Sequence, residues 1–244
     1  TFAFSPVVGL RLSAGWRLHR RNLLQWNEVA AANGMARTLT GFAPRLSVSW
    51  TPALYHYRDG NGHAVPLRSK WPTFMVDYER GLSTFNASTS YERIETDVQY
   101  TLPLYALRAL YFRGGCGFFT RRGPDCFLDY DYFRNNHLFG NWNDELSGQF
   151  QLLDARWYNE SRHYVRLSAA YESPMMLFSR LRWLTRVVQK ERLYINLLNV
   201  GTLGYYSEWG YGLSTPIVDV AGFIALAGHS QTGIGVKFVL RLGD

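Results

Sequence analysis

Apolar and polar residues alternate with a period of two along most of the chain. Leu10, Leu12, Ala14, Trp16 and Leu18 oppose Arg11, Ser13, Gly15 and Arg17. Phe74, Val76 and Tyr78 oppose Thr73, Met75, Asp77 and Glu79, and Ile94, Thr96, Val98 and Tyr100 oppose Arg93, Glu95, Asp97 and Gln99. Val165, Leu167, Ala169 and Tyr171 oppose Arg166, Ser168, Ala170 and Glu172. At the end of the chain Ile234, Val236, Phe238, Leu240 and Leu242 oppose Gly235, Lys237, Val239 and Arg241. Such alternation marks half-buried antiparallel strands. It predicts eleven of them, near 7–18, 44–55, 71–81, 90–101, 105–119, 147–157, 163–173, 190–199, 203–214, 217–227 and 232–242. No linker or shift of composition divides the pattern, so a single domain over 1–244 is expected.

Two connections break the alternation. Residues 120–146 are long, aromatic and polar, and Asp129, Asp131, Arg134 and Asn136 are their candidate loop or plug residues. Residues 174–189 read as a short amphipathic helix, with an apolar stripe of Met176, Leu177, Leu181 and Leu184 beside Arg180, Arg182 and Arg186. Such a helix packs on the protein's own rim or lies on a membrane surface.

The period does not say which face is inside. A soluble sandwich or barrel turns its apolar face inward, whereas an outer-membrane barrel turns it to lipid and keeps a polar lumen. Three features favour the second. The polar faces carry charges of both signs close together, and the chain is Arg-rich and Lys-poor. Aromatic residues gather near strand ends, at Trp50, Tyr55, Tyr57, Tyr205, Tyr206, Trp209 and Tyr211, as girdles at a lipid boundary require. The last strand is long and two-faced, which a closed barrel tolerates because it has no open edges. The expected fold is therefore all-β, an antiparallel transmembrane β-barrel of about 11–12 strands. Its luminal charges would be Arg11, Arg17, Arg93, Glu95, Asp97, Arg166, Glu172, Lys237 and Arg241. Bacterial single-chain barrels usually have an even strand count. Either "TFAF" at 1–4 adds a strand or the barrel continues before Thr1; the missing Met favours the C-terminal part of a larger barrel.

"WPTFMVDYERGL" (71–82), "FLDYDYFRNN" (127–136), "SPMMLFSRLRWL" (173–184), "LGYYSEWGYGL" (203–213) and "GIGVKFVLRL" (233–242) carry a family likeness. Together they resemble the C-terminal barrel region of a Bacteroidota outer-membrane family of unknown function, whose members have an N-terminal carboxypeptidase-regulatory-like domain. That barrel is distantly similar to the outer-membrane assembly and translocation superfamily. The pattern departs at Arg134-Asn135-Asn136, where the family has Gly-Asn, and at Leu242, where outer-membrane barrels commonly carry Phe. The likeness implies outer-membrane localisation, lipid and envelope proteins as partners, and a role in protein assembly, insertion or translocation. A pore for small solutes is the alternative.

Chemistry of a catalytic kind is not expected. The six His form no HExxH or i,i+4 pair, and no GxSxG is present. Asp125, Asp129 and Asp131 are spaced like calcium ligands, but lack the Gly bend and terminal Glu of that loop. No metal, cofactor or nucleic acid is therefore expected, although the chain has a formal charge of +7. Cys116 and Cys126 read as thiols, or as a disulfide in an oxidising compartment.

Overall fold

The computed structural model of the chain describes residues 2–22, 38–52, 55–58, 60, 64–83, 90–105, 107–121, 146, 148–154, 157, 162–174, 176–177, 187–228 and 230–240. The described residues form thirteen strands: β1 (Phe2–Val7), β2 (Leu10–Asn22), β3 (Thr38–Trp50), β4 (Tyr55–Arg58), β5 (Ala64–Arg68), β6 (Thr73–Gly81) and β7 (Tyr91–Pro103), then β8 (Ala109–Arg121), β9 (His163–Ser173), β10 (Lys190–Val200), β11 (Gly204–Ser214), β12 (Val218–Ala227) and β13 (Ser230–Leu240). Eleven form one antiparallel sheet in the order β1-β2-β3-β6-β7-β8-β9-β10-β11-β12-β13, and β4 pairs with β5 in a separate hairpin. The sheet is open among the described residues, with β1 and β13 at its edges.

The count of eleven conceals two changes from the sequence pattern. "TFAF" does belong to a strand, β1, paired with β2 through Phe4↔Leu12 and Phe2↔Ala14. The strand expected over 147–157 is absent, because described residues 148–154 make bends and irregular chain. Two forces draw this stretch out of strand geometry. Gly148 adopts a left-handed φ of 70°, and the carboxylate of Glu208 accepts the backbone N–H groups of both Gln151 and Leu152, at 2.8 and 2.9 Å. The predicted helix over 174–189 lies largely outside the described residues; Met176 and Leu177 within it form bends.

Contacts divide the chain into two compact units. Unit 1 comprises Thr1–Thr96 with Gly117–Asp131, and unit 2 comprises Asp97–Cys116 with Tyr132–Asp244. In unit 1, Ser13 and Ser47 stand opposite each other in the β2–β3 ladder and are buried, while Trp16, Leu18 and Leu46 are exposed. In unit 2 the β9–β10 ladder pairs Leu167 with Leu197 and Ser168 with Asn196. Leu167 and Leu197 are exposed, whereas Ser168 and Asn196 are buried. The strands thus hide their polar residues and show their apolar ones. Two glycines make that buried face passable. A Cβ on Gly210 would stand 2.4 Å from the ring of Phe223 and one on Gly212 2.9 Å from that of Tyr194, so only Gly fits beneath either aromatic.

Candidate functional site: the buried polar face

Each strand sends every second residue to the buried face, so charges two or four strand positions apart arrive in one layer. In unit 1, β6 delivers Asp77 and Glu79, both buried. One oxygen of Glu79 accepts from Arg17 Nη2 at 2.9 Å and from the Tyr91 hydroxyl, and the other accepts from Arg93 Nη2 at 2.9 Å. Arg17 also donates to the Tyr91 oxygen at 2.9 Å. Asp77 accepts from Arg45 Nε at 2.5 Å and from the Ser47 hydroxyl. Register explains the partners of Asp77, because it stands opposite Ser47 and one face position from Arg45, which reaches it diagonally from its place opposite Glu79.

In unit 2, Asp97 Oδ2 accepts from Arg113 Nη2 at 2.5 Å and from Arg166 Nη2 at 2.8 Å. Glu172 accepts from Lys190 at 2.7 Å and from Arg192, its direct partner across the ladder, at 2.8 Å. A buried charge without partners is destabilising, and these pairs meet that demand across neighbouring strands.

The same face of unit 2 holds a segment of chain. Leu146 packs among Ala170, Tyr194, Ala221 and Phe223, with Leu152 beside that cluster. Leu152 also fills the space over Gly235, where a Cβ would stand 2.5 Å from its Cδ2. Asn196 donates to the Gln149 carbonyl at 3.1 Å, and Arg113 to the Gly148 carbonyl at 3.4 Å. Glu208, with no exposed surface, accepts two backbone N–H groups and the Tyr206 hydroxyl at 2.7 Å. Phe150 and Trp157 close on the Tyr206 ring. This strap is held through its backbone by three side chains and through its side chains by an apolar cluster.

Of the nine charges expected to share one face, Arg93, Glu95, Asp97, Arg166 and Glu172 are buried there and Arg17 is half-buried. Arg11 and Lys237 are exposed. Arg11 stands opposite the irregular stretch of β1, and Lys237 lies on the edge strand β13, covered from one flank only. Arg241 falls outside the described residues, as do Asp129, Asp131, Arg134, Asn136 and Cys126. Sequence reasoning missed Glu208, Arg113 and Glu79 as partners, although strand parity already put Glu79 on the polar side. Among the girdle aromatics, Trp50, Tyr205 and Trp209 are exposed. Tyr206 instead faces the polar side, because parity with Glu208 takes its ring inward. Cys116 is exposed on β8. Among the described residues, no group of three His, Cys, Asp or Glu converges as metal ligands.

Residues 7–213 match the C-terminal domain of a family of unknown function, DUF5686. The chain belongs to that family. The matched span runs from the end of β1 to the end of β11 and so contains both charge layers and the strap of the DUF5686 domain. No curated protein matches the chain at a significant level.

Proposed function

We propose that this DUF5686 domain is an outer-membrane β-barrel whose apolar face meets lipid and whose charged face lines a lumen. The observation carrying the proposal is the inverted burial of its strands: Arg93, Arg113, Glu79, Glu95 and Glu208 are among the most deeply buried side chains, while Leu18, Ile234, Val236 and Phe238 are more than half exposed. Water would favour the opposite arrangement. The length of the apolar band supports the same reading. On β10, outward-facing Leu193, Ile195 and Leu197 lie between Glu191 and Asn199. Eight residues at ~3.3 Å each span about 26 Å of strand, or about 20 Å along the normal at the usual tilt, near the ~25 Å apolar band of such barrels.

We further read the barrel as one for protein assembly, insertion or translocation in the envelope, because a strap lies across the polar face of unit 2. A solute pore needs that face clear. Bacteroidota origin and a carboxypeptidase-regulatory-like region ahead of the barrel follow from the resemblance alone and are part of the proposal. The test is single-channel recording in planar bilayers. Little or no steady conductance is expected, and a large steady conductance would favour the pore. Recovery of the protein in a water-soluble, lipid-free fraction would overturn the membrane reading itself.

A further inference from the structure

We infer that one end of unit 2 is sunk in the lipid leaflet, its loop tips binding the headgroup and upper acyl region of the bilayer. This rests on the membrane reading above and adds a lipid-contacting rim to it. Antiparallel succession puts the connections β7–β8, β9–β10 and β11–β12 at the same end of unit 2. Among the described residues of these connections Leu104 is 38 % exposed, Tyr105 94 %, Leu107 84 %, Leu177 69 %, Val187 56 % and Ile217 66 %. In the short turns at the opposite end the exposed described residues are Gly201, Thr202 and Gly228, and the one leucine there, Leu203, is half-buried. Turns standing in water would carry the second kind of residue at both ends.

Two further observations point to lipid as the occupant. The rim is continuous with the apolar face: Phe112 on β8 and Phe238 and Leu240 on β13 are exposed near the same end. The charge that bounds the strand band of β10 at this end is hidden by the fold, so the apolar surface runs on to the rim. Glu191 shares the outward side with Leu193 and Leu213, yet it is 1 % exposed. Its carboxylate accepts the Leu177 backbone N–H at 2.9 Å and the Tyr211 hydroxyl. The chain after β9 therefore roofs the carboxylate and shows the leucine side chain in its place. Arg108, exposed beside Leu107, has the reach to meet lipid phosphates at the boundary. A protein partner would not require the lateral continuity with strand residues, and a bilayer does.

The test uses the full chain with Cys116 and Cys126 replaced by Ser, reconstituted in phosphatidylcholine vesicles. Single cysteines at Leu107, Ile217, Thr202 and Leu197 carry an environment-sensitive fluorophore, and heat-modifiable gel mobility verifies folding of each. The Leu107 and Ile217 labels should emit to the blue of the Thr202 label, be quenched by spin-labelled lipid and resist iodide. If those two labels behave like Thr202 while Leu197 is quenched by lipid, the rim proposal is wrong and the membrane reading stands. If Leu197 is also open to iodide and untouched by spin-labelled lipid, both fall. Should Leu107→Cys fail to insert, Tyr105→Cys reports the same tip.

Discussion

The two units fill the same kind of buried face in different ways. In unit 1 the strands' own side chains close on one another, with Glu79 between Arg17, Arg93 and Tyr91 and Asp77 between Arg45 and Ser47. In unit 2 an ionic layer around Asp97 and Glu172 is joined by a strap, and Glu208 gives both its oxygens to that strap's backbone. Charge against charge fixes strand to strand and leaves no separable part. Backbone against side chain fixes a segment that strand pairing does not hold, so its ties can be weakened without touching the sheet.

The largest expected effect comes from breaking the ionic layer. Asp97→Ala leaves Arg113 and Arg166, at 1 % and 3 % side-chain exposure, without their shared carboxylate. Removing one partner of a buried ion pair typically costs about 3–5 kcal/mol. Denaturant titration of the folded protein in vesicles should show the midpoint falling accordingly. A loss smaller than that of Glu208→Gln at the strap would mean that water reaches these guanidinium groups and the layer is not dry.

Leu197→Arg ranks second. In lipid a mid-band Arg costs about 2–4 kcal/mol, whereas an exposed surface substitution in water stays within about 0.5 kcal/mol. The same titration separates the two, and an unchanged midpoint would remove lipid from the apolar face. Glu208→Gln follows, at about 1.5–3 kcal/mol for hydrogen bonds to a charged group. Its mark should be local: faster amide exchange at Gln151 and Leu152, with β9–β11 still protected. Loss of protection across β9–β11 as well would show that strap and sheet do not separate.

These differences explain what the sequence could tell. Strand existence and facing were legible in β6, β7 and β9, because one polar face and one apolar face force a strict period of two. Asp97, Arg166 and Glu172 were legible as sharing a face for the same reason. The segment 147–157 misled because its Phe150 and Leu152 space like a strand but serve as contacts for the strap, and its backbone partner is a carboxylate distant in sequence. Pattern reports side-chain facing and is blind to which group takes a backbone N–H. Tyr206 was misplaced for a related reason: near a strand end, a tyrosine suits a lipid boundary as well as a buried carboxylate. Only its register with Glu208 distinguishes the two.

The smallest effect sharpens the comparison at the end of unit 2. Leu107 holds a φ of 60°, the only positive φ among described non-glycine residues. A left-handed backbone costs a leucine about 1–2 kcal/mol, and Asn tolerates it better because its short polar side chain bonds locally. In water, Leu107→Asn should therefore stabilise the turn by less than about 1 kcal/mol. In lipid the leucine side chain contributes apolar burial that Asn forfeits, about 1.5–3 kcal/mol for a fully buried side chain and less at a boundary. The two terms oppose, so the sign of the change reports the solvent. We predict that Leu107→Asn lowers the unfolding midpoint in vesicles slightly, while Thr202→Asn at the opposite end leaves it unchanged. A rise for Leu107→Asn would place that tip in water and leave strain relief as the whole effect.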